Sequence, residues 1–282
     1  MTWNWTLLRA GAFRLDGGSM FGVVPRSLWS RAAAPDADNR IPLQTNCLLL
    51  ESDGRKVLVE TGYGDKWADR ERGFFDMERR TVLDALAERG VAPEAIDHVI
   101  VTHLHFDHAA GLTRIGESGE PIVAFPNAEV IVQRTEWDDA LANKSTMTRT
   151  YLRDHLDPIA DRVRLVAGEA QVLPGIRVFP MVGHTWGQQA VRFEDEAGTI
   201  CFPGDVMPTA NHAGLAWNMA YDMLPFTNSA SKRALLKQAL QEGWRIVIDH
   251  EPGDAVVRVV EHPEKPGRLV LETVGDSESP AE

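Results

Sequence analysis

The chain of 282 residues has only two cysteines and three tyrosines, and its 29 lysines and arginines are outnumbered by 41 aspartates and glutamates. Cys47 and Cys201 each sit inside an apolar run and read as small buried hydrophobes. A disulfide framework is therefore excluded, and a reducing cytosol fits the composition. A formal charge of −12 repels phosphate backbones and anionic lipid, which argues against nucleic-acid or membrane-surface partners. No apolar run approaches the ~20 residues that a membrane span requires. The N-terminal Met-Thr-Trp-Asn-Trp-Thr-Leu-Leu-Arg lacks both a basic leader and a long apolar core. A soluble, cytoplasmic protein is expected.

No low-complexity linker divides the chain, so a single domain over 1–282 is expected, with an N-terminal arm at 1–40 and a flexible tail at 275–282. Thr45–Glu51 and Lys56–Thr61 read as strands joined by a turn at Ser52-Asp-Gly-Arg55. Helical spacing of Val82, Leu83 and Leu86 predicts a helix over Glu78–Arg89 that Gly90 stops. Strands are expected at His98–Val101 and Glu129–Gln133, and Thr135–Asp157 is mostly helical in composition. The second half repeats this grammar, with strands at Val163–Val166, Ile176–Val182, Gln189–Phe193, Thr199–Phe202 and Arg245–Asp249. A helix over Ser229–Glu242, capped by Ser229 and ended by Gly243, precedes the last of them. Strands before helices in both halves predict two packed sheets with helices outside, a four-layer α/β sandwich of the αββα type.

The run His103-Leu-His-Phe-Asp-His108 follows the apolar strand at 98–101. Three more polar residues occur where strands run out: His184, Asp205 and His250. A lone histidine at a strand end is usually structural. The whole run should arise by chance in on the order of one in a thousand such sequences. Imidazoles and carboxylates gathered at one edge of a layered α/β fold are what a two-metal site needs. The donor set suits zinc, and also manganese, iron or cobalt.

In this order of residues the chain resembles the metallo-β-lactamase-fold hydrolases. Its segment Leu15-Asp-Gly-Gly-Ser-Met-Phe-Gly-Val-Val-Pro-Arg-Ser-Leu-Trp29 is similar to the start of a branch holding quorum-quenching N-acyl-homoserine lactonase-like and methyl parathion hydrolase-like proteins. The resemblance implies that His103, His105 and His184 hold one divalent ion. It implies that Asp107, His108 and His250 hold a second, with Asp205 bridging both. It further implies a metal-bridging hydroxide that opens a lactone or ester, N-acyl-homoserine lactone first among them, with Asp107 as proton shuttle. Organophosphate triesters and other esters or thioesters are the alternatives on this scaffold. Outside the hydrolase class stands a non-catalytic or redox metal-binding protein. A small-molecule substrate is expected, with no nucleic-acid or membrane partner, for a monomer or homodimer.

Two positions depart from the family. Glu60-Thr-Gly62 stands where many members have Asp-Thr-Gly, which gives Glu60 a supporting role beside the metal ligands. Pro208 occupies the place of a tyrosine that lactonases carry three residues after the bridging aspartate. His212 and Tyr221, in the aperiodic segment Pro208–Pro225, are the candidate replacements. Phe21 and Trp186 complete the candidate substrate-binding residues.

Overall fold

Side chains along Cys47-Leu-Leu-Leu50 alternate between two cores, Cys47 and Leu49 entering one and Leu48 and Leu50 the other. Such two-sided burial marks an interior strand with apolar layers on both faces. The computed structural model describes residues 1–147 and 149–274. The tail expected at 275–282 lies outside the described residues.

Strands of the first half are β1 (Asn4–Asp16), β2 (Arg40–Ser52), β3 (Arg55–Val59), β4 (His98–Ile100), β5 (Thr113–Ile115), β6 (Pro121–Val123), β7 (Glu129–Gln133) and β8 (Val163–Val166). The second half adds β9 (Ala170–Leu173), β10 (Ile176–Pro180), β11 (Gln189–Asp195), β12 (Gly198–Phe202), β13 (Arg245–Val247), β14 (Val256–Glu261) and β15 (Leu269–Thr273). The helices are α1 (Gly17–Phe21), α2 (Arg26–Trp29), α3 (Asp69–Phe75), α4 (Val82–Glu88), α5 (Phe106–Ala109), α6 (Arg134–Leu141), α7 (Arg153–Leu156) and α8 (Pro225–Glu242).

One sheet has the order β1-β2-β3-β4-β7-β8 and the other β15-β14-β13-β12-β11-β10-β9. Between them Leu48, Leu50, Val59 and Ile131 meet Val191, Phe193, Ile200 and Phe202. Each such burial is worth about 1.5–3 kcal/mol, so this middle layer joins the sheets without a disulfide. Outside the first sheet, Val82, Leu86 and Trp137 of α4 and α6 cover Leu58, Val99 and Val130. Outside the second, Leu235, Leu236 and Ala239 of α8 cover Ile246 and Val257. The result is the expected αββα sandwich. Cys47 and Cys201 are free and buried. Among the described residues no helix is long and apolar enough to cross a membrane.

Several local expectations change. The stretch expected as an arm includes β1, which pairs antiparallel with β2 from Asn4–Glu51 to Asp16–Arg40. Helix α4 starts at Val82 because Thr81 N donates to Asp84 Oδ2 at 2.8 Å, closing the first turn. Glu78 serves β1 instead, accepting from Ala12 N at 2.8 Å. Helix α8 begins at Pro225, whose fixed φ suits a first turn. Ser229 is therefore no cap; its hydroxyl donates to Leu215 O at 2.9 Å. Among the described residues, the region 135–157 holds the short α6 and α7 and the start of a 3-10 turn at Asp157 in place of longer helix. The irregular backbone between them enters the cavity wall described below.

Candidate metal centre

Every candidate ligand stands just past a strand end, at one edge of the sandwich. After β4, Val101-Thr102 leads to His103 and His105, and α5 presents Asp107 and His108. His184 follows β10, Asp205 follows β12, and Asp249-His250 follows β13. Gly204 turns the chain into Asp205 at φ +63, where a Cβ would lie 2.8 Å from Thr102 Oγ1. Left-handed backbone and crowding together require glycine there.

Two buried sets result. Ligand atoms of His103, His105 and His184 lie within 4.8 Å of one another, as do those of His108, Asp205, Asp249 and His250. His184 Nε2 is 2.9 Å from His105 Nδ1, and His250 Nε2 is 3.1 Å from His108 Nε2. Donors sharing a tetrahedral ion at ~2.0–2.1 Å stand about 3.3 Å apart, so these pairs sit near ligand spacing. Asp205 faces both sets. Its Oδ2 is 3.2 Å from His184 Nε2 and 3.9 Å from His103 Nε2. Its Oδ1 is 3.3 Å from His250 Nε2 and 3.6 Å from His108 Nε2.

Two further carboxylates approach His108 from opposite sides. Asp107 lies on the inner side, its Oδ2 3.5 Å from His250 Nε2 and its Oδ1 3.9 Å from His108 Nε2. Asp249 lies behind the ring, its Oδ2 4.0 Å from His108 Nδ1, while its Oδ1 accepts from His250 N at 3.0 Å. An imidazole that turns Nε2 inward presents Nδ1 to its supports. Asp107 thus faces the inner nitrogens of His108 and His250, while Asp249 lies at the Nδ1 edge of His108, its ligand atom still within the second set.

Outer partners fix the other rings. His250 Nδ1 donates to Gln44 O at 2.9 Å, which turns Nε2 inward. His184 Nδ1 donates to Asp222 Oδ1 at 3.0 Å with the same consequence. Asp222 is held in turn by Met219 N and Asn228 Nδ2, both at 3.0 Å from its Oδ2. Lys232, fully buried on α8, ties down the same loop by donating to Trp217 O (2.7 Å), Asn218 Oδ1 (3.2 Å) and Gly214 O (3.3 Å). Glu60 does stand beside the centre: its Oε1 accepts from Thr102 N at 2.7 Å and its Oε2 lies 3.6 Å from His108 Nδ1.

Burial pushes the His103 and His105 imidazoles well below the ordinary histidine range, and neighbouring histidines add to it. Both are thus neutral, the form that ligates. Burial opposes charge on His250 too, but Asp205 and Asp249 raise it to about 9. Burial likewise opposes charge on Asp205, yet His250, His184 and His108 hold its carboxyl far below the usual range. Buried polar atoms without a hydrogen-bond partner include His103 Nε2 and Asp205 Oδ1. Such orphans are costly unless something satisfies them. Imidazoles around one shared carboxylate, two of them held neutral by burial and with partnerless buried atoms among them, fit divalent cations.

A cavity of about 450 Å³ opens over this edge. His105, Asp107, His184, Asp205 and His250 contribute to its lining, with Leu15, Met20, Phe75, Phe106, Met219 and Tyr221 among its walls. The adjoining cavity, about 540 Å³, shares Phe75, Phe106 and Arg149 with it and adds Trp67 and Phe74.

Of the expected substrate residues, Tyr221 lines the cavity and the others do not. His212 is buried with both ring nitrogens engaged, by Thr209 Oγ1 and Met20 O, each at 2.8 Å. Phe21 is fully buried and stacks on Trp29 and His212. Trp186 lies under the Lys144 ammonium, 3.9 Å from its ring centre, away from the cavity lining. Unforeseen from sequence were Asp249, Asp222 and the cavity residues of the 146–150 segment. Asp249 could have been suspected as an acid abutting His250 at a strand end; Asp222 carries no such signal.

Residues 40–250 match the family model of the metallo-beta-lactamase superfamily. N-acyl homoserine lactonase AiiA of Bacillus thuringiensis subsp. kurstaki is 30% identical over 176 residues, covering 58% of this chain. The match spans 64% of that relative's length. A probable metal-dependent hydrolase from Staphylococcus aureus superposes with a TM-score of 0.85 at 27% identity, covering 97% of this chain and 99% of its own. The dizinc quorum-quenching lactonase AidC shares the fold with a TM-score of 0.79 at 17% identity, over 98% and 96% of the two chains. The strand-end histidines, the shared aspartate and the two packed sheets thus have one common source, and the chain belongs to the metallo-beta-lactamase superfamily.

Proposed function

We propose that this chain is a dinuclear metal-dependent hydrolase that opens a lactone or ester, with N-acyl homoserine lactone the first candidate. The observation that carries the reading is one carboxylate, Asp205, turning an oxygen to each of two histidine sets on the floor of an apolar-walled cavity. Relatedness to lactonases at 30% identity supports the choice of bond. His103, His105 and His184 would hold one ion; His108, His250 and Asp107 the other; Asp205 both. When bound, such ions supply Lewis acidity and bring the pKa of a coordinated water from 15.7 towards ~7. Zinc suits the donors best, since all are imidazole or carboxylate.

The chain's own residues do the rest. Asp107 borders the cavity, and its carboxylate oxygens can take a proton there and return it to the departing alkoxide. Tyr221 offers a hydroxyl donor on the wall, where it can orient the substrate carbonyl in place of the residue lost at Pro208. Leu15, Met20, Phe75, Phe106 and Met219 exclude water around the reacting bond. The aromatic side cavity accepts an acyl arm.

A pH-indicator screen of lactones of graded acyl length beside esters and paraoxon-type triesters tests the bond. Lactone turnover is expected; activity on triesters with every lactone inert would overturn the choice of bond while leaving the metal centre intact. Tyr221→Phe should retain its metals and lower kcat/KM about tenfold, the worth of one hydrogen bond of about 1.4 kcal/mol. Unchanged kinetics would remove Tyr221 from the substrate's reach.

A further inference from the structure

Glu136 of α6 is fully buried, belongs to neither ligand set and is absent from the cavity lining. We infer that Glu136 is a positioning residue that pins the His103–His105 loop to the His184 loop and so sets the spacing of the first histidine set. The inference rests on the metal-centre reading above.

Three donors converge on this one carboxylate. Its Oε1 accepts from Leu104 N at 2.9 Å and from Tyr151 Oη at 3.1 Å. Its Oε2 accepts from Thr185 Oγ1 at 2.6 Å. Leu104 is the residue between His103 and His105, and Thr185 follows His184. The carboxylate thus spans the two loops whose tips meet where His184 Nε2 stands 2.9 Å from His105 Nδ1. All three hydrogen bonds are buried, so one carboxyl group holds both loops at once.

A separate observation shows how closely the second loop is held. A Cβ on Gly187 would lie 2.2 Å from Glu136 N and 2.4 Å from its Cα. The chain after His184 therefore rests on the backbone of α6 itself. Tyr151, the third donor, also packs its ring 5.0 Å from that of His105. It ends the segment that brings Met147, Arg149 and Thr150 to the cavity. One acid thereby joins the first histidine set to the substrate wall.

The test is a titration of the full, metal-stripped chain with cobalt(II) alone, followed by its visible absorption. Wild type is expected to take up two equivalents; uptake of none would defeat the metal-centre reading itself. In Glu136→Gln the acid is lost and one of its oxygens becomes an amide nitrogen, so the Leu104 N–H loses its acceptor or a hydroxyl must turn round to accept. The equivalent that His184→Ala removes should then bind about 10–100-fold more weakly, with a changed spectrum. The other equivalent should stay within about twofold of wild type. Glu136→Asp should recover part of the loss. Should Glu136→Gln fail to fold, Thr185→Val removes a single donor at constant shape and is expected to weaken the same equivalent about tenfold. A purely structural role would lower the melting temperature and leave both cobalt affinities and spectra unchanged. That result, or equal weakening of both equivalents, overturns the inference while wild-type uptake of two keeps the metal centre.

Discussion

Asp205→Asn is expected to lower kcat by 10³-fold or more, about 4 kcal/mol of barrier, and to cut bound metal from close to two per chain to below one. The reason lies in the symmetry of the contacts. Each carboxylate oxygen faces one histidine set, Oδ2 towards His184 and Oδ1 towards His250. Asparagine keeps the shape but replaces one oxygen with an amide nitrogen, whose protons point at imidazole lone pairs and which cannot ligate. Whichever way the amide turns, one set loses its carboxylate and both lose the negative charge. Burial disfavours charge on His108 and His184, and Asp205 is the strongest influence restoring it. Metal analysis beside steady-state kinetics checks the prediction, with Tyr221→Phe as the variant that keeps its metals. Two firmly bound metals in Asp205→Asn would show that this residue does not serve both sets.

Lys232→Met should destabilise the fold by about 1–2 kcal/mol at neutral pH, because three part-buried acceptors lose their donor. The melting temperature should fall by about 3 °C for a chain of this size. The lysine's pH behaviour supplies a second readout. Burial lowers the Lys232 ammonium from 10.5 to about 8, against the pull of Asp222. Between about pH 8 and 10.5 the unfolded chain keeps a proton that the folded chain has released. The unfolded state thus binds more protons, and folding stability rises with pH through that window. The methionine variant lacks this titration, so the gap between the two proteins should be smallest below pH 8 and widen above it. Lys66, also lowered to about 8 by burial, is present in both and cancels. Denaturant unfolding at pH 7 and pH 10 measures the gap. A constant gap would mean that the folded lysine titrates as it does in water.

How much of this is written in the chain depends on whether a signal is local. Continuous apolar runs such as Cys47–Leu50 and Val130–Val132 place the interior strands, because burial on both faces calls for an apolar side chain at every position. The run from His103 to His108 announces itself because six residues concentrate rare ligand types. Strand β1 is harder: Arg9, Gly11 and Arg14 dilute its apolar alternation, and its register shifts between Arg9 and Ala12. Glu136 sits in Arg134-Thr-Glu-Trp-Asp-Asp-Ala-Leu141, where an acid reads as one more solvated side chain. Only the tertiary approach of two distant loops reveals it as buried. His212 shows the reverse error. A histidine near metals reads as a donor, but Thr209 and Met20 already occupy both its nitrogens.

The division of ligands between the sheets has a use. The first sheet ends with β8 at Val166 and the second begins with β9 at Ala170. Between them Ala167, Gly168 and Glu169 are exposed; the Gln133 side-chain amide pins the Gly168 backbone, and Arg177 pairs with Glu169. A chain cut there would leave His103, His105, Asp107 and His108 on one fragment and His184, Asp205, Asp249 and His250 on the other. Neither piece holds a full set for either ion. On the proposed metal centre, cobalt colour of the full site would therefore report reassembly of the two fragments, so that this fold could serve as a split sensor.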